Sequence, residues 1–288
     1  METALNVGLI IIVCLAIIFM WYMIYDSNRF VVAEYEMCST KLKRDKKIIF
    51  LSDLHNKEYG KDNSRLLEEI DRQKPDMILV GGDMMNACPG ASFEKAVAFL
   101  KKISASYPVF YAMGNHEYRS RIYPETYGDM HQRYMDALKD TGIIFLDNES
   151  VFLEEDNIRI TGITIDRKYY KRFAKRKMET GYVESVIGSS PKDAYQILLA
   201  HNPEFFSDYA GYTKDLVLSG HVHGGVARLP FIGGVIAPSL MPFPHYDGGK
   251  FDEYDSHMIL SRGLGMHTIP VRLFNPGELV LIYLRKES

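Results

Sequence analysis

Short apolar runs, each followed at once by a cluster of polar residues, recur along the chain. Uninterrupted apolar runs are typical of strands that are buried on both faces. Five such runs predict strands, at residues 48–51, 77–80, 109–112, 197–199 and 216–218. Because open α/β sheets bind ligands at the carboxyl ends of their strands, the polar clusters after these runs should meet at one edge.

Apolar residues at helical spacing lie between those runs and predict helices. The pattern predicts a helix over residues 63–73 and another that follows Ser92 as its cap. A third is predicted over 129–139, ended by Gly142, because glycine commonly closes a helix. The pair Asn202-Pro203 predicts one more helix start, with the asparagine as cap and proline in the first turn.

The second half of the chain alternates more and is rich in glycine and proline. Strand-like segments occur there at 151–153 and 158–160. Buried strands in the first half and alternating strands in the second predict an α/β fold. Its expected architecture is a pair of packed mixed β-sheets flanked by helices.

The polar clusters after the five runs hold five of the nine histidines, together with aspartate and asparagine. They are Asp53-Leu54-His55, Gly82-Asp83, Gly114-Asn115-His116-Glu117, Ala200-His201-Asn202 and Gly220-His221-Val222-His223. Carboxylate, imidazole and amide oxygen are ligands that suit Mn, Fe or Zn. A lone histidine after a strand is more often an ordinary polar residue, so the metal hypothesis depends on all five clusters together.

A pair of neighbouring metal ions needs one ligand that bridges them. Asp83 is the candidate bridge, because a carboxylate has two oxygens and an imidazole bridges only after losing its proton. The other candidates form two shells, one of Asp53, His55 and His223, and one of Asn115, His201 and His221. The sequence thus predicts a site for two divalent metal ions, with Mn, Fe and Zn as the candidates.

In these clusters the chain resembles the calcineurin-like metallophosphoesterase family. The order Asp-x-His, Gly-Asp, Gly-Asn-His-Glu, His and Gly-His-x-His matches that family's signature, from about Lys47 to the C-terminus. Later stretches, Arg228-Leu229-Pro230 and residues 263–272, look like the membrane-associated bacterial branch. That branch includes phosphodiesterases and enzymes similar to UDP-2,3-diacylglucosamine hydrolases. The resemblance implies a metallophosphoesterase-like four-layer sandwich.

The resemblance also implies a mechanism, in which a hydroxide held between two metals attacks phosphorus in line. His116 would then stand beside the substrate and donate a hydrogen bond or proton to the leaving oxygen. Asp53 would orient His116 in addition to binding metal. The implied enzyme is a dinuclear metal-dependent phosphoesterase, a hydrolase of phosphodiester or pyrophosphate bonds in a lipid-linked or nucleotide-linked substrate. A phosphomonoesterase is the alternative activity, and a non-catalytic scaffold is the alternative class.

The N-terminal segment has no charged residue from Thr3 to Tyr25, and about 20 apolar residues span a bilayer as a helix. It predicts a transmembrane anchor over 1–25, a juxtamembrane connector with a strand over 26–46, and a metallophosphoesterase catalytic domain over 47–288. A cleaved signal peptide and a buried core helix are the competing interpretations. Signal peptides have a basic start and a small-residue cleavage motif, and neither is present here.

Charge narrows the expected location and partners. Lys and Arg favour the cytoplasmic side of a membrane, and they follow the apolar segment without preceding it, at Arg29, Lys41, Lys43 and Arg44. A cell-membrane protein with a cytoplasmic catalytic domain is therefore expected. The net charge of −3 argues against a general nucleic-acid binder. The three cysteines are widely spaced and predict no disulfide framework.

Two segments are candidates for substrate selection. Residues 167–177 interleave seven basic side chains with aromatic ones, which suits a membrane surface or an anionic head group. An ordinary solvated basic segment is the alternative. Residues 230–243 are apolar and rich in turns, and form either a lip for a lipid tail or a core hairpin. Arg119 and Arg121 are further candidates for contact with a phosphate group.

Overall fold

The computed structural model describes residues 2–171, 177–225, 227–229, 233–235, 243–266 and 272–287. Within them the strands are β1 Phe30–Ser39, β2 Lys46–Leu51, β3 Met77–Val80, β4 Val109–Tyr111, β5 Ile144–Phe145, β6 Ser150–Leu153, β7 Ile158–Ile163, β8 Tyr195–Ala200, β9 Leu216–Ser219, β10 Arg228–Leu229, β11 Gly233–Gly234, β12 Gly249–Glu253, β13 Ser256–Leu260 and β14 Gly277–Lys286. The α-helices are α1 Glu2–Ser27, α2 Ser64–Gln73, α3 Glu94–Ser104, α4 Asn115–Ile122, α5 Pro124–Tyr127, α6 Met130–Leu138, α7 Tyr182–Ile187 and α8 Phe206–Tyr212. Short 3-10 helices cover Lys61–Asn63, Arg167–Tyr170 and Pro203–Phe205.

Two six-stranded mixed sheets form the centre of the fold. The first has the strand order β1-β14-β2-β3-β4-β5, and the second β12-β13-β9-β8-β7-β6. In the first sheet β2, β3 and β4 are parallel neighbours, and in the second β13, β9 and β8 are. Parallel neighbours end at the same edge, so the loops that leave these strands are brought together.

Three apolar clusters hold the layers together. Ile48, Phe50 and Ile197 belong to the cluster between the two sheets. A second cluster joins the outer face of the first sheet to α2, α3 and α6, and a third joins the second sheet to α8. The order of layers is helix, sheet, sheet, helix, which confirms the predicted α/β fold. Both faces of the central strands are covered, which explains their uninterrupted apolar sequences.

The predicted strands and helices are confirmed, with one correction. All five apolar runs form strands, and the helices predicted over 63–73 and 129–139 are α2 and α6. The Oδ1 atom of Asn202 accepts a hydrogen bond from the Glu204 amide at 3.0 Å, as a cap does. Ser92 is not the cap of α3, however, because Phe93 occupies that position.

Most of the N-terminal helix α1 is exposed, apart from Asp26 and Ser27 at its end, and its Leu5–Ser27 stretch is long and apolar enough to cross a membrane. Membrane-spanning helices and signal sequences share this composition, but a buried core helix is excluded because none of the apolar window is buried. The segment expected to be a connector contains β1, which pairs in parallel with the last strand, β14.

The two segments proposed for substrate selection are described only in part. Lys168 forms an ion pair with Glu179 at 2.6 Å, and residues 172–176 of the basic segment lie outside the described residues. Most of the apolar segment, residues 230–232 and 236–242, also lies outside them.

Candidate metal centre

The five polar clusters lie at the carboxyl ends of strands in both sheets. Asp53, Asp83 and Asn115 follow β2, β3 and β4, while His201 and the turn that holds His221 and His223 follow β8 and β9. Backbone hydrogen bonds tie the clusters together, for example from the Asp53 amide to the Gly82 carbonyl at 3.0 Å. Two sheets therefore contribute ligand candidates to a single site.

Asp53, His55 and His223, the first predicted shell, converge as expected. The Nε2 atoms of His55 and His223 lie 3.1 Å apart, and the two rings are stacked. Asp53 Oδ1 lies 3.4 Å from the Nε2 atom of His223 and 4.0 Å from that of His55. One ligand atom from each residue lies within 4.8 Å of the others, which fits a single cation between them.

The second shell also converges on Asp83. Its Oδ2 atom lies 3.1 Å from the Nε2 atom of His201, and Asp83, His201 and His221 form a second group within 4.8 Å. Asn115 is buried, and its Oδ1 atom has no hydrogen-bond partner among the described residues. A buried amide oxygen without a donor is costly, so this position suits a cation ligand.

Asp83 has the position that a bridge requires. Its Oδ2 atom is 3.9 Å from the Nε2 atom of His55, in the first shell, and 3.1 Å from that of His201, in the second. Its other oxygen, Oδ1, accepts a hydrogen bond from the His116 amide at 2.7 Å. The Asp83 carboxylate therefore lies between the two predicted shells.

The pKa shifts of Asp83 and His201 indicate that the site favours positive charge. Burial alone would raise the pKa of Asp83, but His201 and His116 hold that pKa well below its usual value. Burial lowers the pKa of His201, but Asp83 and Asp53 outweigh it and raise the pKa to about 10. In the metal-free protein a proton on His201 therefore offsets part of the carboxylate charge. A cation bound at this site would offset the same charge.

Two histidines at the site use their Nδ1 atoms in opposite ways. His201 Nδ1 lies 2.7 Å from the Gly81 carbonyl and must donate to it, so Nε2 is the atom that could bind a metal once it has lost its proton. His116 Nδ1 accepts from the Ala87 amide at 2.9 Å, so the proton of the neutral ring is on Nε2. His116 lies within 4.8 Å of His55 and Asp83 ligand atoms, but its tautomer suits a proton donor and not a metal ligand.

The backbone at the site is strained. Five of the seven candidate ligands adopt the left-handed region, with φ of 54° at Asp53, 49° at His55, 53° at Asp83, 73° at His221 and 52° at His223. Such conformations persist only where the surrounding structure enforces them, and they concentrate at functional sites.

Two glycines in the clusters are required by the close approach of a carboxylate. A Cβ at Gly114 would collide with Oδ1 of Asp83, and one at Gly220 would collide with Ser52 and with Oδ2 of Asp53. Any side chain at these positions would displace a candidate ligand. This accounts for the glycine that precedes Asn115 and the one that precedes His221.

Glu117 has a structural role that the sequence did not assign. Its buried carboxylate accepts from the amides of Asp83, Met84 and Gly114 at 2.9, 2.9 and 3.0 Å, and from the Tyr111 hydroxyl at 2.9 Å. Burial and the charge of Asp83 raise its pKa to about 7, although these hydrogen bonds oppose the shift. Glu117 therefore fixes the loop of Asp83, and the only sequence signal was its place in the Gly-Asn-His-Glu cluster.

The two arginines after this cluster have partners within the protein. Arg119 donates to the Ala87 carbonyl at 2.7 Å, next to the amide that holds His116. Arg121 pairs with Asp147. Their guanidinium groups support the loops around the site, which favours the ordinary interpretation over direct contact with phosphate.

The family model described as calcineurin-like phosphoesterase matches residues 46–225, a span that includes every candidate ligand. The chain belongs to the calcineurin-like phosphoesterase family. An uncharacterized metallophosphoesterase of Campylobacter jejuni is 30% identical over 254 residues, or 85% of this chain and 60% of that relative. The metallophosphoesterase YkuE of Bacillus subtilis, also uncharacterized, is 26% identical over 262 residues, or 84% of this chain and 80% of YkuE.

The chain is also similar to a phosphoesterase whose activity is named. The phosphodiesterase YaeI of Escherichia coli is 26% identical over 227 residues, which are 76% of this chain and 75% of YaeI. The chain spans 60% of the length of the Campylobacter and Helicobacter relatives that it matches. The expected family is confirmed by these comparisons.

Proposed function

We propose that this chain is a dinuclear metal-dependent phosphoesterase that hydrolyses a phosphodiester or pyrophosphate bond. The observation that carries the proposal is the geometry around Asp83. Its carboxylate lies 3.9 Å from His55 of one predicted shell and 3.1 Å from His201 of the other. The proposed metal ligands are Asp53, His55, Asp83, Asn115, His201, His221 and His223, with Mn, Fe or Zn as the ions.

The residues of this chain supply positioning and proton transfer. When bound, a metal pair would supply an activated water and neutralise charge on the phosphate oxygens. His116 is the proposed proton donor to the leaving oxygen, because the Ala87 amide occupies its Nδ1 and leaves the proton on Nε2. The predicted orienting role of Asp53 toward His116 stays a prediction. Positioning and charge stabilisation suffice for phosphoryl transfer, so no protein nucleophile is needed.

The substrate class is a proposal that rests on the relatives. The E. coli relative is a phosphodiesterase, which favours diester over monoester hydrolysis for this chain. The resemblance to UDP-2,3-diacylglucosamine hydrolases favours a lipid-linked or nucleotide-linked substrate and stays a prediction. A phosphomonoesterase remains the alternative activity.

Turnover of a chromogenic phosphodiester by the full chain in detergent tests the proposal. Activity should require added Mn²⁺ and should disappear in Asp83→Asn, whose amide cannot bridge two cations. Asp156→Asn is a matched control, because Asp156 is a buried carboxylate paired with Lys46 at the opposite end of β2. The control should keep turnover within about twofold, since remote changes leave transition-state contacts intact.

Full turnover in Asp83→Asn would show that the dinuclear assignment is wrong. Faster turnover of a chromogenic monoester than of the diester would favour the phosphomonoesterase. Absence of both turnover and bound metal would favour the scaffold, the alternative from a different class. Against the scaffold, all seven proposed ligands and His116 are present, and the described atoms of the two predicted shells converge.

A further inference from the structure

Asn275 contacts the metal loop although it lies far from the polar clusters in sequence. Its Nδ2 atom donates to the carbonyls of His223 and Gly225, each at 2.7 Å. The side chain is fully buried, so both hydrogen bonds are sheltered from water. These bonds span the turn immediately after the candidate ligand His223, which lies 52 positions earlier in the chain.

Asn275 is in turn held by the end of α1. Its backbone amide donates to Oδ2 of Asp26 at 2.7 Å, and Asp26 is fully buried. The other carboxylate oxygen, Oδ1, accepts from Nε of Arg29 at 2.9 Å. A continuous path of hydrogen bonds therefore runs from Arg29 through Asp26 and Asn275 to His223.

A second path from α1 leads to the other side of the site. Ser27 Oγ accepts from the Arg272 amide at 3.0 Å, and the buried Arg272 guanidinium donates to the Gly263 carbonyl at 3.0 Å. A Cβ at Gly263 would lie 2.7 Å from Cβ of Asp53, so this loop packs directly against a candidate ligand. The end of α1 thus supports loops that contact both Asp53 and His223.

The turn after His223 needs such support. His223, Gly224 and Gly225 have φ of 52°, 69° and 84°, so three consecutive residues adopt the left-handed region. Residues other than glycine seldom adopt this region, and although histidine does so more often than most, its own preference does not fix the turn. Hydrogen bonds from a buried, oriented amide supply a fixed point that holds the ligand in place.

We propose that Asn275 and Asp26 are positioning residues, which hold the His223 turn in its metal-binding geometry and connect it to the end of the N-terminal helix. The inference rests on the proposed metal site. Partners that orient metal ligands typically change metal affinity by about 10- to 100-fold when they are replaced. Removing the Asn275 donors should therefore weaken metal binding by at least about tenfold.

Calorimetric titration of the metal-free full chain with Mn²⁺, in detergent, tests the inference through binding and not through activity. Asn275→Asp keeps the shape of the side chain and removes both donors. Asn157→Asp is the matched control, because Asn157 Nδ2 also donates to two backbone carbonyls, those of Lys41 and Asp193, each at 2.9 Å. Both variants should lower the melting temperature of the metal-free protein, but only Asn275→Asp should raise the Kd for Mn²⁺.

A folded Asn275→Asp protein with the wild-type Kd would overturn the inference. Circular dichroism shows whether that variant folds. If it does not fold, the Kd of Asp26→Asn for Mn²⁺ tests the inference instead. Asp26→Asn leaves both Asn275 side-chain donors present, so a smaller rise in Kd is expected, and an unchanged Kd overturns the inference. A wild-type chain that binds no Mn²⁺ would instead overturn the proposed metal site itself, and the inference with it.

Discussion

At the scale of single residues, two imidazoles at the site meet the backbone in opposite ways. The His201 ring donates from Nδ1 to the Gly81 carbonyl, while His116 accepts at Nδ1 from the Ala87 amide. These contacts support the proposed roles, a metal ligand for His201 and a proton donor for His116. The difference depends on which backbone group contacts each ring, so it could not be predicted from the residue types alone.

Replacing His116 should remove catalysis and leave metal binding intact. In His116→Ala we expect turnover to fall by about 10²- to 10⁴-fold, the usual contribution of a positioned proton donor. The metal content, measured by elemental analysis, should equal that of the wild type. His201→Ala is the comparison, and it should lose metal as well as activity. A loss of metal from His116→Ala would identify His116 as a ligand and contradict the assignment.

Metal binding should release a proton from His201. Its pKa of about 10 in the metal-free fold exceeds its ordinary value of 6.5, so the ring is protonated at pH 7. This ion pair stabilises the metal-free fold fully below about pH 6.5, and its contribution is lost as the pH rises towards 10. Because a cation must displace the proton, the metal affinity should increase with pH over the same range.

Calorimetric titrations at pH 7 in buffers of different ionisation enthalpy measure that release. The wild type should release about one proton more than His201→Gln, because the glutamine has no proton to lose. Equal release from the two proteins would show that His201 is neutral in the metal-free fold or does not bind the metal.

The residues in the polar clusters could be predicted from sequence. The residues that hold their loops by hydrogen bonds could not. Each proposed ligand directly follows a buried apolar strand, which places it at a sheet edge on local grounds. Asn275 and Arg272 have no such pattern around them. Long-range folding brings their loop beside His223 and Gly263.

At the scale of elements, the first turn of α4 determines the shape of the Asp83 loop. Glu117 lies in that turn and accepts hydrogen bonds from the amides of Asp83 and Met84, and from the amide of Gly114 just before the helix. A carboxylate accepts several hydrogen bonds at once, whereas an amide side chain presents donors to the same backbone N–H groups. The loop geometry therefore depends on the two acceptor oxygens of Glu117.

Glu117→Gln should consequently destabilise the fold by about 1–3 kcal/mol, the usual effect of leaving buried donors unsatisfied. Urea denaturation of the metal-free protein measures the change. Glu94→Gln is the matched control, because Glu94 lies in the first turn of α3 and is exposed, and its effect should stay within about 0.5 kcal/mol. Equal stability of the two variants would show that Glu117 does not hold the loop.

The strands were predictable because burial on both faces leaves an uninterrupted apolar sequence. The pairing of β1 with β14 was not predictable, because it joins Phe30–Ser39 to residues near the other end of the chain. Its sequence alternates only loosely, and the register depends on a partner that local pattern does not identify. The strand in the juxtamembrane connector was therefore expected, but its place in the first sheet was not.

At the scale of the whole molecule, hydrogen bonds connect the end of helix α1 to the site between the two sheets. The site lies where parallel strands of both sheets end, and Asp26 at the end of α1 reaches it through Asn275. If α1 is an uncleaved anchor, as we propose, the catalytic domain stands close to the bilayer. The basic residues that follow α1 favour the cytoplasmic side.

The anchor hypothesis predicts that the full-length chain stays in the membrane fraction after an alkaline carbonate wash. Intact mass should include α1, whereas a cleaved signal peptide would give a chain without it. Cys88 is exposed and not disulfide-bonded, so in the variant Cys14→Ser, Cys38→Ser it reports sidedness. A cytoplasmic domain predicts labelling by an impermeant maleimide only after the membrane is permeabilised. Labelling in intact cells would contradict that orientation.

Anomalous diffraction from crystals that contain Mn²⁺ tests most directly whether two metal ions share Asp83. Two peaks about 3.5–4 Å apart are expected, the separation of metal pairs in dinuclear hydrolases. One should contact Asp53, His55 and His223, and the other Asn115, His201 and His221, with Asp83 between them. A single peak, or a pair of peaks without Asp83 between them, would contradict the proposed dinuclear site.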